Sequence, residues 1–277
     1  MNILVIQTTH SGIYYHRQYT PHFRWRDSGE EFKDDLVVIV ETQHLDKLND
    51  ITQKMHFDIV LFSIAIAKEA NLDKFAKYVQ MKGSKVVLDI DDRYHKDRND
   101  VKTSLKIADG YTTVSDSLAD FYLTRGAKRR PYVIENGIDT FERQFTEMPV
   151  ANEEVVFGYF GSTRHEEDLR IMDAPLVYNK FNEGKSFLKV IEAGFKKKAI
   201  ICSDTQPYNR KIHSEFHDVI DLIPLGTSWK DRIESYTLEE AHQRGEELYK
   251  LVQPYDIKNL NKKRRDIYQT IIDLPRR

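Results

Sequence analysis

The chain has 277 residues, a formal net charge of −2, 40% hydrophobic residues and 31% charged residues. The apolar fraction suffices for packed cores and excludes a mainly disordered chain. The near-neutral balance excludes a global electrostatic attraction to nucleic acid.

No apolar run reaches the roughly 18 residues of a transmembrane helix, so no transmembrane segment is expected. The start, MNILVIQTT, lacks the charged region and long apolar stretch of a signal peptide. The one cysteine, Cys202, cannot form an intramolecular disulfide. It suits a reducing compartment, and a cytoplasmic location is expected. Cys202 lies in the apolar run Ala199–Cys202 and is expected to fill a core. The local basic runs Arg125–Arg130, Lys196–Lys198 and Lys262–Arg265 are expected to be solvated faces.

In chain order, short apolar runs alternate with helical patterns, as in a parallel sheet covered on both faces. Asn2–Gln7, Leu36–Val40, Asp58–Ser63, Lys85–Asp89, Gly110–Val114 and Tyr132–Ile134 read as strands. Tyr15–Arg26, Leu45–Met55, Glu69–Met81 and Ser115–Arg125 read as helices between them. Ser115 is placed to cap the last of these, and Gly126 to stop it. Phe141–Glu154 is polar and without period, and reads as a linker. The pattern restarts with the strand candidates Val155–Gly161, Asp173–Leu176, Ala199–Ser203 and Val219–Ile223. The helices Phe187–Phe195 and Leu238–Leu251 follow, and Pro254 precedes a final basic helix, Ile257–Ile272.

The chemistry-bearing residues sit at strand ends and glycines. Thr8-Thr9-His10-Ser11-Gly12 follows the first strand, where ligands bind in open parallel sheets. It is not the G-x-G-x-x-G fingerprint of dinucleotide sites. Asp89-Ile90-Asp91-Asp92-Arg93-Tyr94-His95 follows a buried strand and offers a polar wall for hydroxyls. A metal site, hard carboxylates around a divalent cation, is the alternative, and a plain polar loop is the third reading. Glu135-Asn136-Gly137 is a turn signal in its own right.

Further on, Gly161-Ser162-Thr163-Arg164-His165 has the backbone amides, hydroxyl and guanidinium suited to a diphosphate. Gly184-Lys185-Ser186 opens a helix and aims amides, a cation and a hydroxyl at an anion. Asn179 stands where a Walker motif needs glycine, which counts against a kinase or ATPase. Glu192 lies two turns along the same face, where a carboxylate can take ribose hydroxyls.

The order ADGYTTVS, VIENGID, GYFGSTRHEEDL, APLVYNKFNEGKSFLKVIEAG and AIICSDTQPY resembles the glycosyltransferase family 4 (group 1) pattern. His10–Arg17 is similar to that family's glycine loop and following helix. The resemblance implies an α/β fold of two Rossmann-like domains facing a cleft (GT-B), with an abridged C-terminal domain. The expected boundaries are 1–147 for the acceptor domain and 148–254 for the shortened donor domain. Residues 255–277 are expected to form a helix crossing back to the first domain.

The implied activity is transfer of a sugar from a nucleotide-sugar donor, with retention of anomeric configuration. Its acceptor would be a glycan, a protein or a modified DNA base. Carried over by position, Gly161, Ser162 and Arg164 flank the donor diphosphate, and His165 is a further substrate-binding candidate. Gly184, Lys185 and Ser186 contact the phosphates, and Glu192 the ribose. Gly184 stands where the family's first motif glutamate belongs. Asp91, His95 and His10 are the candidate bases on the acceptor side, with Ser11, Gly12, Asn136 and Gly137 as binding positions.

No cofactor is required on this reading, and magnesium is compatible with the chemistry but not expected. Between His165–Leu169 and Ile171–Leu176 about half a domain of the family's usual elements is missing. Compact members of this kind occur in phage-like genomes. Two other readings stand beside active transfer: a catalytically inactive sugar-nucleotide or glycan-binding relative, and a phage DNA-base glycosyltransferase.

Overall fold

The computed structural model describes residues 1–7, 14–42, 46–64, 72–93, 99–147, 153–158, 186–205, 207–224 and 227–275. The chain divides into two compact units, Met1–Gly137 with Ile257–Arg277, and Ile138–Asp256.

The first unit is α/β and Rossmann-like. Its strands are β1 (Asn2–Gln7), β2 (Leu36–Glu41), β3 (Ile59–Ser63), β4 (Lys85–Ile90), β5 (Gly110–Thr113) and β6 (Tyr132–Val133). They form a six-stranded sheet in the order β2-β1-β3-β4-β5-β6, and every neighbouring pair is parallel. Strands buried on both faces are rich in Val, Ile and Leu because neither face meets water.

Alternate side chains feed two cores. Leu4, Ile6, Val60, Phe62, Val86 and Leu88 face one way. They pack under α2 (Asp46–Lys54), α3 (Leu72–Met81), α4 (Asn99–Ile107) and α5 (Asp116–Leu123). Ile3, Val5, Val37, Ile59, Leu61 and Val87 face the other way, against Trp25, Tyr268 and Ile271. Trp25 belongs to α1 (Thr20–Arg26), which follows a π-helical turn, Tyr14–Tyr19.

The Ser115 hydroxyl accepts from the Leu118 N–H at 3.3 Å and caps α5. Gly126 ends that segment at φ +104°, the left-handed region that glycine enters without strain.

The final helix of the chain packs on the face opposite α2–α5. Its Asn261 amide donates to the Pro21 carbonyl at 2.7 Å. Arg265 pairs with Asp35 at 2.8 Å, and Tyr268 and Ile271 complete the second core.

On α1, His22 is fully buried, its ring nearly parallel to those of Trp25 and Tyr268 at centroid distances of 6.3 and 6.1 Å. Its Nδ1 lies 2.6 Å from the Gln18 carbonyl, which can only accept, so the Nδ1 carries the proton. The Nε2 then accepts from the Tyr268 hydroxyl at 3.1 Å. Burial, reinforced by the charge of Arg264, drops the imidazole pKa to about 3.

The unfolded His22 titrates near its ordinary value of 6.5. The folded state must refuse the proton that the unfolded chain accepts as pH falls below that. Stability is therefore expected to decline from about pH 6.5 toward pH 3. A His22→Phe variant should show a shallower decline in urea midpoint over that range.

The second unit contains α6 (Arg143–Thr146), α7 (Leu188–Phe195), β7 (Ile201–Ser203), β8 (Asp221–Ile223), α8 (Lys230–Ser235) and α9 (Leu238–Val252). Among the described residues its strands are a parallel pair, β7-β8. Its core gathers Phe187, Val190, Ile191, Phe216, Leu248 and Val252. The final helix of the chain is α10 (Ile257–Ile272).

Cys202 fills this second core at 4% exposure, and burial pushes its thiol far above the ordinary value. A thiolate nucleophile there is disfavoured.

Three stretches differ from expectation. Phe141–Glu154 reads as a linker, yet Ile138 bonds to the Tyr255 carbonyl and Phe145 packs on the second unit's core. The division between the units accordingly falls at Gly137, ahead of the expected boundary at 147. Val155–Gly158 reads as the start of a strand but forms none. Val156 and Phe157 stay 72% and 47% exposed, and a strand needs a neighbour to complete its hydrogen bonds. Asn99–Ile107 is a helix that its polar composition conceals.

Close packing in this unit depends on two glycines, Gly194 against Val252 and Gly245 against backbone. A Cβ added at Gly245, on α9, would lie 2.2 Å from the Lys197 carbonyl oxygen. Backbone cannot retreat cheaply, so Gly245→Ala is expected to destabilise by about 2–3 kcal/mol. A lowered thermal midpoint would register it.

Candidate functional site

Strands β1 to β4 of the first unit are aliphatic along most of their length. Polar residues gather at their carboxyl ends: Gln7 on β1, Ser63 on β3, Asp89 on β4 and Thr112 on β5, all buried. In an open parallel sheet this edge is where ligands bind, at the point where strand order reverses. Here the reversal lies between β1 and β3, because β2 flanks β1 on the other side.

A buried ion pair organises this edge. Arg17, on the π-helical turn, and Asp89 are 3% exposed each. The guanidinium Nη2 lies 2.5 Å from Asp89 Oδ1, and Nε donates to Oδ2 at 3.1 Å. Such a planar two-point pairing is the guanidinium's strength. The Arg17 Nη1 also donates to the Ile134 carbonyl and, at 3.5 Å, to Asn136 Oδ1. Thr112 adds its hydroxyl to Asp89 Oδ1 at 2.7 Å. One side chain thus ties the turn after β1 to β4 and to the segment after β6. Burial opposes the Arg17 charge, but the Asp89 carboxylate more than offsets this and holds Arg17 protonated above its usual range.

Asp91 stands two residues past Asp89. It keeps part of its surface in solvent, while its carboxyl lies deep among protein atoms. Burial, then the negative charges of Asp89 and Asp92, raise its pKa to about 7, against the pull of Arg17. A carboxyl poised near neutrality can exchange a proton with a substrate hydroxyl. His16, next to Arg17, hydrogen-bonds to the backbone of Gly137. Burial and the charge of Arg17 hold its imidazole below the usual value, so it is neutral at physiological pH.

Of the residues singled out from sequence, Asp91, Asn136 and Gly137 meet at this edge. His10, Ser11, Gly12, His95, Gly161, Ser162, Arg164, His165, Gly184 and Lys185 lie outside the described residues. Ser186 is half-buried just ahead of α7. Glu192 sits on α7, half-buried, its carboxyl raised by burial against the pull of Lys189.

Sequence reasoning did not single out Arg17 and His16 as site residues. The signal for Arg17 was Asp89 itself, since a carboxylate in an apolar strand needs a cation. Which cation it takes, 72 positions away, is not readable along the chain. Among the described residues no three His, Cys, Asp or Glu gather as a metal would require. Asp89 spends both oxygens on Arg17 and Thr112.

No helix among the described residues is long and apolar enough to cross a membrane. No protein-family model matches the chain, and no curated protein matches it.

Proposed function

We propose that this chain transfers a sugar from a nucleotide-activated donor to an acceptor hydroxyl bound at the carboxyl edge of the first unit's sheet. The observation that carries the reading is Asp91, a carboxyl poised near pH 7 beside the buried Arg17–Asp89 pair. The ordered resemblance of the motifs along the chain supports it.

In the proposed step the ionised Asp91 accepts the proton of the acceptor hydroxyl as its oxygen bonds to the anomeric carbon. The bond from that carbon to the donor diphosphate breaks, and the nucleoside diphosphate leaves with the electron pair. Arg17 keeps Asp89 charge-neutralised, so that Asp91 ionises near pH 7 rather than higher. Arg164, Lys185 and Ser186 are assigned by position to the departing phosphates. Fixed donors aimed at developing charge each contribute about 3 kcal/mol in a water-poor site.

The test is a thermal-shift series with UDP-, GDP-, ADP- and CDP-sugars, with and without Mg²⁺, followed by product analysis. A ligand that binds the folded state raises its melting temperature. One nucleotide should shift the protein, and Lys185→Ala should abolish that shift. A well-folded sample that none of the four shifts would sink the transferase reading. Binding without product would mark a non-catalytic sugar-nucleotide protein.

A further inference from the structure

A cleft of about 490 Å³ opens at the carboxyl ends of β1 and β2, on the side of β1 away from β4. It falls within the size range of small-molecule sites. Its lining separates into three chemistries. The apolar lining straddles β2: Val40 and Ile51 belong to the core on one face of the sheet and Ile39 to the core on the other, and Tyr19 and Phe23 add aromatic surface. These two rings stack on each other, with centroids 5.3 Å apart and planes 23° apart. Glu41, the last residue of β2, supplies one carboxylate. Lys47 and Arg26 supply two cations, both exposed, and Arg26 stands over the Phe23 ring at 4.5 Å.

We infer that this cleft binds a ribonucleoside monophosphate. A planar base matches the apolar surface of Tyr19, Phe23 and Ile39, which offers area without demanding hydrogen bonds. A carboxylate at the end of the second strand, next to the first, is the position from which nucleotide-binding α/β sheets take the ribose 2′-hydroxyl. The phosphate matches Lys47 and Arg26. A dinucleotide is disfavoured, because the loop after β1 lacks the glycine pattern that admits a pyrophosphate. A plain sugar phosphate would satisfy Glu41 and the cations but leave the apolar surface uncovered.

This inference goes beyond the transferase reading and does not depend on it. Glu41 and Lys47 belong to the first unit, whereas the proposed donor contacts lie between 161 and 192.

The experiment titrates AMP, 2′-deoxy-AMP and ribose 5-phosphate into the Lys185→Ala protein, which removes the proposed donor contact. AMP is expected to bind and to raise the melting temperature. Glu41→Gln should weaken AMP about tenfold or more, and removal of the 2′-hydroxyl should weaken it comparably. Lys47→Ala should weaken AMP and ribose 5-phosphate alike. The inference fails if AMP does not bind, or if it binds equally to Glu41→Gln and Lys47→Ala. It also fails if ribose 5-phosphate binds as tightly as AMP, since the apolar surface would then hold no base. Absence of donor binding and sugar transfer in the parent protein, with AMP binding intact, would overturn only the transferase reading.

Discussion

Arg17→Met is expected to destabilise the first unit by about 3–5 kcal/mol, because it leaves the Asp89 carboxylate buried and unpaired. Asp89 is 3% exposed, and Thr112 alone cannot replace a two-point guanidinium. Urea unfolding followed by Trp25 fluorescence in a Trp229→Phe background reads this unit, since Trp25 is buried in its second core and Trp229 lies in the other unit. The midpoint should fall well below that of the parent protein. Arg17→Met combined with Asp89→Leu should recover much of the loss, because no charge is then stranded. If Arg17→Met alone leaves the midpoint unchanged, the pair does not organise the sheet edge.

Asp91→Asn is expected to lower sugar transfer about 10²- to 10³-fold with little change in donor binding, the range for removal of a general base. Transfer by the parent protein should rise as pH passes through about 7, where Asp91 loses its proton. The asparagine variant should lose that inflection.

Stability supplies an independent check. The folded pKa of Asp91 lies above the ordinary carboxylate value of 3.8, so the folded state holds the proton more tightly than the unfolded chain. This contribution is fully present below about pH 4 and is lost as pH rises through about 7. At pH 8, Asp91→Asn should therefore be the more stable protein, by about 1–3 kcal/mol after allowing for partial solvent screening. Equal stability at pH 8 would mean that the carboxyl is not strained by its surroundings.

The two units differ in how far they can be read along the chain. Strands β1 to β4 coincide closely with apolar runs, because a strand buried on both faces is mostly apolar, while β5, Gly-Tyr-Thr-Thr, is buried without being an apolar run. The cap at Ser115 and the stop at Gly126 are local events, decided within a few residues. The last helix, Ile257–Ile272, follows from its period. The short strands β7 and β8 lie within broader apolar runs, while Val155–Gly158 has the composition of a strand but forms none.

The site divides in the same way. Asp91, Asn136 and Gly137 were marked by lying just after strands, where parallel sheets place their chemistry. Arg17 carried no such mark, since one arginine among 42 basic residues looks like any other until Asp89 is seen beside it. The paired fates of Asp89 and Asp91 illustrate the point. Both belong to one short acidic run, yet one is neutralised by a guanidinium and the other is pushed toward neutrality by its neighbours.

The sequence alone thus determined the class of fold, the strands of the first unit and the edge where its chemistry collects. Burial, period and turn propensity act over a few residues and leave their pattern in the chain. Only the tertiary structure decided which cation meets Asp89, which residues the last helix covers and where the first unit ends. Those outcomes join residues far apart in sequence, and their energies come from burial and Coulomb interaction that exist only once the chain has folded.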